Sequence, residues 1–257
     1  MKQARDFEDL EHLIEHLKAK PDILAIAQYG SRDYSDMSPG GDFDVNLVVK
    51  DTVPTRICGM HFHVKQVPVD CGIIKVGDLE KREVPSDFHC TLIDSQILFD
   101  RTGMVTELLS DARKNWKLKI KLMSESELAF ERFIKQHVVD KFEGREYEDE
   151  VYTSIFLCGN IFWLLEDYMK LQKLNPYDFK GALSFMRTHS LDTYKLFERF
   201  INSADLAEKI YITKALNEAV FAEAGGAWKP DEVLFHYANF DDTYSDAEKQ
   251  TALELIF

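Results

Sequence analysis

A change of hydrophobic period partway along the chain constrains its fold more than any other feature. Phe7, Leu10, Leu13, Ile14 and Leu17 recur at helical spacing, which predicts a helix over Asp6 to Lys18, ended by Pro21-Asp22. Ile23 to Tyr29 is an apolar run that stops at Gly30-Ser31, as a buried strand entering a tight turn does. A polar loop holds Ser35, Ser38, Pro39, Gly40 and Gly41, and strict alternation begins at Asp42. Phe43, Val45, Leu47 and Val49 share one face of that strand; Asp42, Asp44, Asn46 and Val48 share the other. A further strand is predicted over Val67 to Ile74, where Val69, Cys71 and Ile73 lie opposite Asp70 and Pro68 signals a bulge or an edge. Gln96 to Phe99 reads as a last short strand, closed by Asp100-Arg101-Thr102-Gly103, and Met104 to Trp116 as a helix.

Beyond Lys117 the strand-like runs cease. Helical spacing covers Leu128 to Phe142, Val151 to Leu174, Asp178 to Arg187, Leu191 to Ile201 and Asp205 to Glu223, with breaks at Glu143-Gly144, Asn175-Pro176, His189-Ser190, Asn202-Ser203 and Gly225-Gly226. The expected organisation is an α+β domain over residues 1–116, then an all-α helical bundle over 117–257. At 257 residues and 45% hydrophobic content the chain can bury a core in each half.

A formal net charge of −14 works against a long polyanionic partner, so no nucleic acid is expected. The opening Met1 to Asp6 has no apolar signal core, and the longest apolar runs, such as Ile161 to Leu165, are far too short to span a membrane. The expectation is a cytoplasmic protein without a membrane partner. Cys58, Cys71, Cys90 and Cys158 show no paired spacing and read as reduced thiols. His61 and His63 would share a face of a strand, but no third metal ligand is near them in sequence. The acidic stretch Glu143 to Glu150 reads as a solvated helix end or loop.

With 45 acids in 257 positions, roughly eight acid-x-acid pairs arise by chance, so spacing alone means little. Asp42-x-Asp44 differs because it sits on an alternating strand, where i and i+2 share a face about 6.7 Å apart. Two carboxylates at that separation repel by about 2.5 kcal/mol at an effective dielectric near 20. A divalent cation removes the penalty, and Mg²⁺ suits the pair because it takes few carboxylates and keeps sites for water and phosphates. Asp70, on a neighbouring strand, could complete the site. Gly30-Ser31 offers backbone N–H groups and a hydroxyl to phosphate oxygens, and Arg32 either reaches a phosphate or pairs with Asp33 or Asp36.

Gly30-Ser31, the ten-residue spacer Arg32 to Gly41, Asp42-Phe43-Asp44-Val45 and the separate Asp70 together resemble the nucleotidyltransferase superfamily with a polymerase-β-like palm. Ile97 to Gly103 and the aromatic-rich stretch Phe156 to Leu174 are similar to segments of lincosamide and aminoglycoside antibiotic nucleotidyltransferases. The resemblance implies a mixed sheet flanked by helices and Mg²⁺-dependent transfer of a nucleoside monophosphate, AMP from ATP foremost, to a hydroxyl of a small molecule. On this resemblance Asp42, Asp44 and Asp70 bind metal and serve catalysis, Asp70 alternatively taking the acceptor's proton, while Gly30, Ser31 and Arg32 hold the nucleotide. The Pro39-Gly40-Gly41 run is a departure from the pattern. The acceptor stays open between an aminoglycoside, a lincosamide and a metabolite hydroxyl, and Glu131, Glu143 and Glu166 are undistinguished as a base from the helical half. Related enzymes are sometimes dimers, and the helical half is the surface available for a homodimer contact.

Two other functions compete. One is a regulatory or antitoxin-like module of the same fold that modifies or binds a protein; Arg132 and His137 have the spacing of a ribonuclease-toxin pair, although five residues along a helix separates side chains by about 140°. The other is a polynucleotide enzyme, which the acidic balance disfavours; Lys114, Lys117, Lys119 and Lys121 form the local basic cluster.

Overall fold

The computed structural model describes residues 7–81, 87–120, 122–143, 149–235 and 245–256. Residues 1–6, Lys121 and 144–148 of the acidic stretch, with Glu146 and Glu148, lie outside the described residues. The chain divides into two compact units, Met1–Ile120 and Lys121–Phe257. The sequence boundary at 116/117 falls inside the last turn of helix α4, which runs Met104–Lys119.

In the first unit, α1 spans Leu10–Lys18 rather than starting at Asp6, because the Asp9 carboxylate accepts from the His12 amide and caps the helix there. The strands are β1 (Ile23–Tyr29), β2 (Phe43–Val49), β3 (Gly59–Val64), β4 (Val67–Lys75) and β5 (Gln96–Asp100), and two short helices, α2 (Val76–Lys81) and α3 (Asp87–Leu92), precede β5. The five strands form one mixed sheet in the order β3-β4-β2-β1-β5. β2 and β4 run parallel while the other neighbours are antiparallel. Pro68 is opposite His63, and pairing with β2 starts only at Val69, so the proline sits where β4 has a neighbour on one side.

Helices flank both faces. Phe43, Val45, Leu47, Val49, Val69 and Cys71 pack with Leu10, Leu13 and Ile14 of α1. On the other face Ala25, Ala27, Val48 and Ile74 pack with Leu79 of α2, Leu92 of α3, and Val105 and Leu109 of α4. Along that second face of β2 the side chains grade from apolar to charged: Val48 is buried among the helices, Asn46 donates to the Thr91 hydroxyl of α3 at 3.1 Å, and Asp44 is only half-buried. Helical cover thus ends where the acids begin.

The second unit is helical: α5 (Glu125–Phe142), α6 (Glu150–Leu171), α7 (Phe179–His189), α8 (Leu191–Asn202), α9 (Leu206–Val220) and α10 (Asp246–Ile256). The stretch expected to continue to Glu223 stops at Val220 and tightens into a 3₁₀ turn, Ala222–Ala224, closed by Gly225 in the left-handed region. Among the described residues side chains cap five of these helices: Ser124 and Ser245 in reciprocal boxes with Glu127 and Glu248, and Asp149, Asp178 and Asp205. The core joins Val139 and Phe142, Leu157 and Leu164, Met186, Phe200, and Leu216 across α5 to α9. Within it Lys135 is buried with Asp167 at 2.8 Å and also pairs with Glu131. Among the described residues no helix is long and apolar enough to cross a membrane.

Candidate active site

Strand register builds the site. Tyr29 of β1 is opposite Asp44 of β2, Asp44 is opposite Asp70 of β4, and Asp70 is opposite His61 of β3. Residues in register on adjacent strands share a face, so these four side chains form one row across four strands. Asp42, immediately before β2, lies two residues from Asp44 and extends the same face by one step. His61 Nδ1 is 3.4 Å from Asp70 Oδ1.

The row ends against the Gly30 turn. Gly30 has φ +78°, and a Cβ there would lie 2.1 Å from Asp44 Oδ2. Only glycine combines that backbone conformation with that approach, so the glycine lets a carboxylate rest on the turn. Ser31, next in the chain, is exposed.

Electrostatics tie the acids together. Burial, then the charges of Asp42 and Asp70, push the Asp44 carboxyl up to about 6 from its usual 3.8. Burial and the negative charges of Asp70 and Asp44 push the Tyr29 phenol well above its ordinary value, which keeps it a neutral donor. Cys71 points to the opposite, apolar face, and burial followed by the Asp70 charge raises its thiol to about 12. It is an inert core residue.

Arg32 has a different place from Gly30. Its buried guanidinium turns into its own loop, donating to the carbonyls of Asp36 (2.8 Å), Ser38 (3.0 Å), Gly40 and Gly41 and lying 3.5 Å from the Asp36 carboxylate. Gln28 donates to the Arg32 carbonyl at 2.6 Å. Of the two roles open to it from sequence, the structure gives the one with Asp36, and Pro39-Gly40-Gly41 is held from within instead of hanging free. Asp33 accepts from the Ser35 amide and hydroxyl, and those bonds lower its pKa.

Among the described residues no group of three or more His, Cys, Asp or Glu side chains is placed to hold a metal ion, so Asp42, Asp44 and Asp70 are not gathered as a three-ligand site. The acids instead make an open, mutually repelling group with Asp44 at its centre, which fits a cation that needs one or two carboxylates and completes its shell with water and phosphate. It does not fit an all-protein cage.

His61, paired in sequence only with His63, and Tyr29, the last residue of the first apolar run, both belong to the row. In the helical unit, Arg132 is a strut. It forms a two-pronged pair with Glu232 at 2.9 Å, donates to the Gly226 and Ala227 carbonyls, and lies over the Trp228 ring, while His137 stacks on Phe133. The two face different partners. Glu131 pairs with Lys135 and Glu143 with Lys214.

No protein-family model matches the chain, and no curated protein matches it. Among solved structures, a nucleotidyltransferase-like protein from Exiguobacterium sibiricum 255-15 is similar, with a TM-score of 0.42 and 13% identity; the match covers 84% of this chain and 74% of that one.

Proposed function

We propose that this chain transfers a nucleoside monophosphate from a nucleoside triphosphate to a hydroxyl of a small molecule, releasing pyrophosphate, with Mg²⁺ as the metal and ATP as the first donor to test. The observation that carries this reading is the in-register meeting of Asp44 and Asp70, with Asp42 beside them, against the glycine turn at Gly30. Like charges set side by side on a sheet repel, and a bound cation relieves that repulsion.

In this scheme Asp42 and Asp44 hold the metal. Mg²⁺, when bound, neutralises the carboxylates and stabilises negative charge on the attacking and leaving oxygens. The Gly30 backbone and the Ser31 hydroxyl take the β and γ phosphates, for which a turn free of a Cβ leaves room. Arg32 keeps the loop behind them in shape through its carbonyl contacts. The acceptor oxygen forms a bond to the α-phosphorus as the bond from that phosphorus to the pyrophosphate oxygen breaks. The hydroxyl proton goes to Asp70, whose carboxylate His61 orients. The acceptor class is a small hydroxyl compound, an aminoglycoside or lincosamide antibiotic included; the −14 charge favours a cationic one.

The test is incubation with Mg²⁺, each of the four common nucleoside triphosphates and a panel of hydroxyl acceptors, following pyrophosphate release and the mass of the acceptor. Release that depends on acceptor and metal supports the reading. No release with any nucleotide overturns it, and label appearing on protein would move the assignment to the protein-modifying alternative.

A further inference from the structure

We propose that Phe142, Tyr152 and Phe156 form a cage for the head group of a small quaternary ammonium compound, with Lys141 as a tethered stand-in that the ligand displaces. Phe142 is the last residue of α5, while Tyr152 and Phe156 lie one turn apart near the start of α6. The Tyr152 and Phe156 ring centroids are 4.7 Å apart, and that of Phe142 is 6.1 Å from the first and 6.2 Å from the second. The rings are inclined to one another by 48° to 73°, so they enclose a corner instead of stacking.

The corner holds a positive charge. Lys141 Nζ is 4.9 Å from the centroid of Phe156, 5.2 Å from that of Tyr152 and 5.6 Å from that of Phe142, and it donates to the Tyr152 hydroxyl at 2.9 Å. All three rings are within the ~6 Å over which an aromatic face attracts a cation. Elsewhere among the described residues cations lie on single rings, as Arg132 does on Trp228, Arg187 on Tyr194 and Lys209 on Phe200. Phe142 is a fixed back wall, 6% exposed, whereas Tyr152 at 43% and Phe156 at 36% are open to water, and Lys141 is itself exposed. A ligand arriving from solvent therefore reaches the cage by displacing one flexible side chain.

Three physical properties select the occupant. A primary ammonium is strongly hydrated, and the Tyr152 hydroxyl is the one hydrogen-bond partner that Lys141 Nζ has among the described residues. A trimethylammonium group has no N–H to satisfy and spreads its charge over methyl groups, so it gains the ring contacts without that loss. An anion is repelled by the negative ring faces and by the sequence that joins the two helices, where Glu143 to Glu150 holds five acids and one arginine. The cage uses none of the three acids of the sheet, so it stands or falls separately from the catalytic reading.

The experiment is an NMR titration of the full chain with choline and with dimethylbutanol, the neutral analogue in which a tert-butyl group replaces the trimethylammonium. Choline should give saturable shifts of the aromatic signals, and dimethylbutanol should bind at least about tenfold more weakly. Lys141→Ala should tighten choline binding at least about tenfold, because it removes a competitor held at high local concentration. Tyr152→Leu with Phe156→Leu keeps the apolar bulk and should weaken choline binding at least about tenfold, with helical content by circular dichroism unchanged. No saturable shift in the natural chain up to about 100 mM choline would overturn the proposal. So would equal binding of the neutral analogue, or an affinity that Lys141→Ala leaves unchanged; neither comparison needs the double variant to fold. A trimethyl-lysine peptide that binds at least about tenfold more tightly than choline would also overturn it, transferring the cage to a protein partner.

Discussion

Asp44 and Asp167 are both carboxylates withdrawn from water, and both have pKa values raised first by burial. Their neighbours differ in sign. Every charge acting on Asp44 is negative, Asp42 and then Asp70. Asp167 has Lys135 at 2.8 Å and Lys170 at 3.6 Å, which oppose the effect of burial, with only Glu131 adding to it. A buried acid that is paired belongs to the architecture of the helices. Asp44 is left among its own kind, and no neighbouring cation offsets the burial and the like charges that raise it.

The largest expected effect falls on the unpaired set. Asp42→Asn with Asp44→Asn should lower acceptor-dependent pyrophosphate release by more than about 10³-fold while the thermal transition stays cooperative. Retained turnover would remove these side chains from the chemistry and dissolve the contrast. For the paired set, Lys135→Met should destabilise the helical unit by about 3 kcal/mol in urea unfolding, because Asp167 loses its main partner. Adding Asp167→Leu should recover most of that loss. A neutral Lys135→Met would mean the pair is ornamental.

Gly30→Ala should cost about 2 kcal/mol, from a positive φ and a Cβ directed at the Asp44 carboxylate. It should also weaken nucleotide retention measured by equilibrium binding, whereas Gly103→Ala, with a similar φ but nothing within 4 Å of the added carbon, should affect stability alone. Equal effects at the two glycines would show that the approach to Asp44 is irrelevant.

The smallest effect sharpens the comparison most. Because the folded pKa of Asp44 is about 6 against 3.8, the native state keeps its proton over a range in which the unfolded chain has released it. Stability from this group is therefore full below about pH 4, falls as pH rises to about 6, and is then lost. Asp44→Asn in chelator should stabilise the protein by about 1 kcal/mol at pH 7.5, a pKa difference discounted for half exposure, and by nothing at pH 4. Thermal melts at the two pH values give the answer, and a stabilisation that is the same at both would refute the electrostatic cause.

The sequence made β1, β2, β4 and β5 readable because each has apolar residues at strand period or in a short bounded run. The extent of β3 was not readable: Gly59 to His63 of this edge strand is mostly exposed, so burial leaves no alternation to follow, and the pairing of His61 with Asp70 depends on a register that no local pattern encodes. α2 and α3 span six residues each, too few for a helical period to show. Asp42, Asp44 and Asp70 were visible as candidates from strand parity, but their adjacency depends on β2 and β4 being neighbours in parallel, which no local pattern encodes. Arg32 had two roles open to it because its partners are mainly backbone carbonyls, and these carry no sequence signal. Lys135 and Asp167 are 32 positions apart, and helical spacing alone does not say that they meet.

The apolar layer against α1 has a consequence for the acids on the reverse of the same strands. Phe43 and Val45 flank Asp44, Val69 and Cys71 flank Asp70, and all four are almost wholly shielded from solvent. For either aspartate to escape its neighbour by rolling over, its strand would have to bring a pair of oily side chains out into water and bury a charge in their stead. The grease on one side thus acts as a latch for the discomfort on the other, which lasts as long as the strands keep their register.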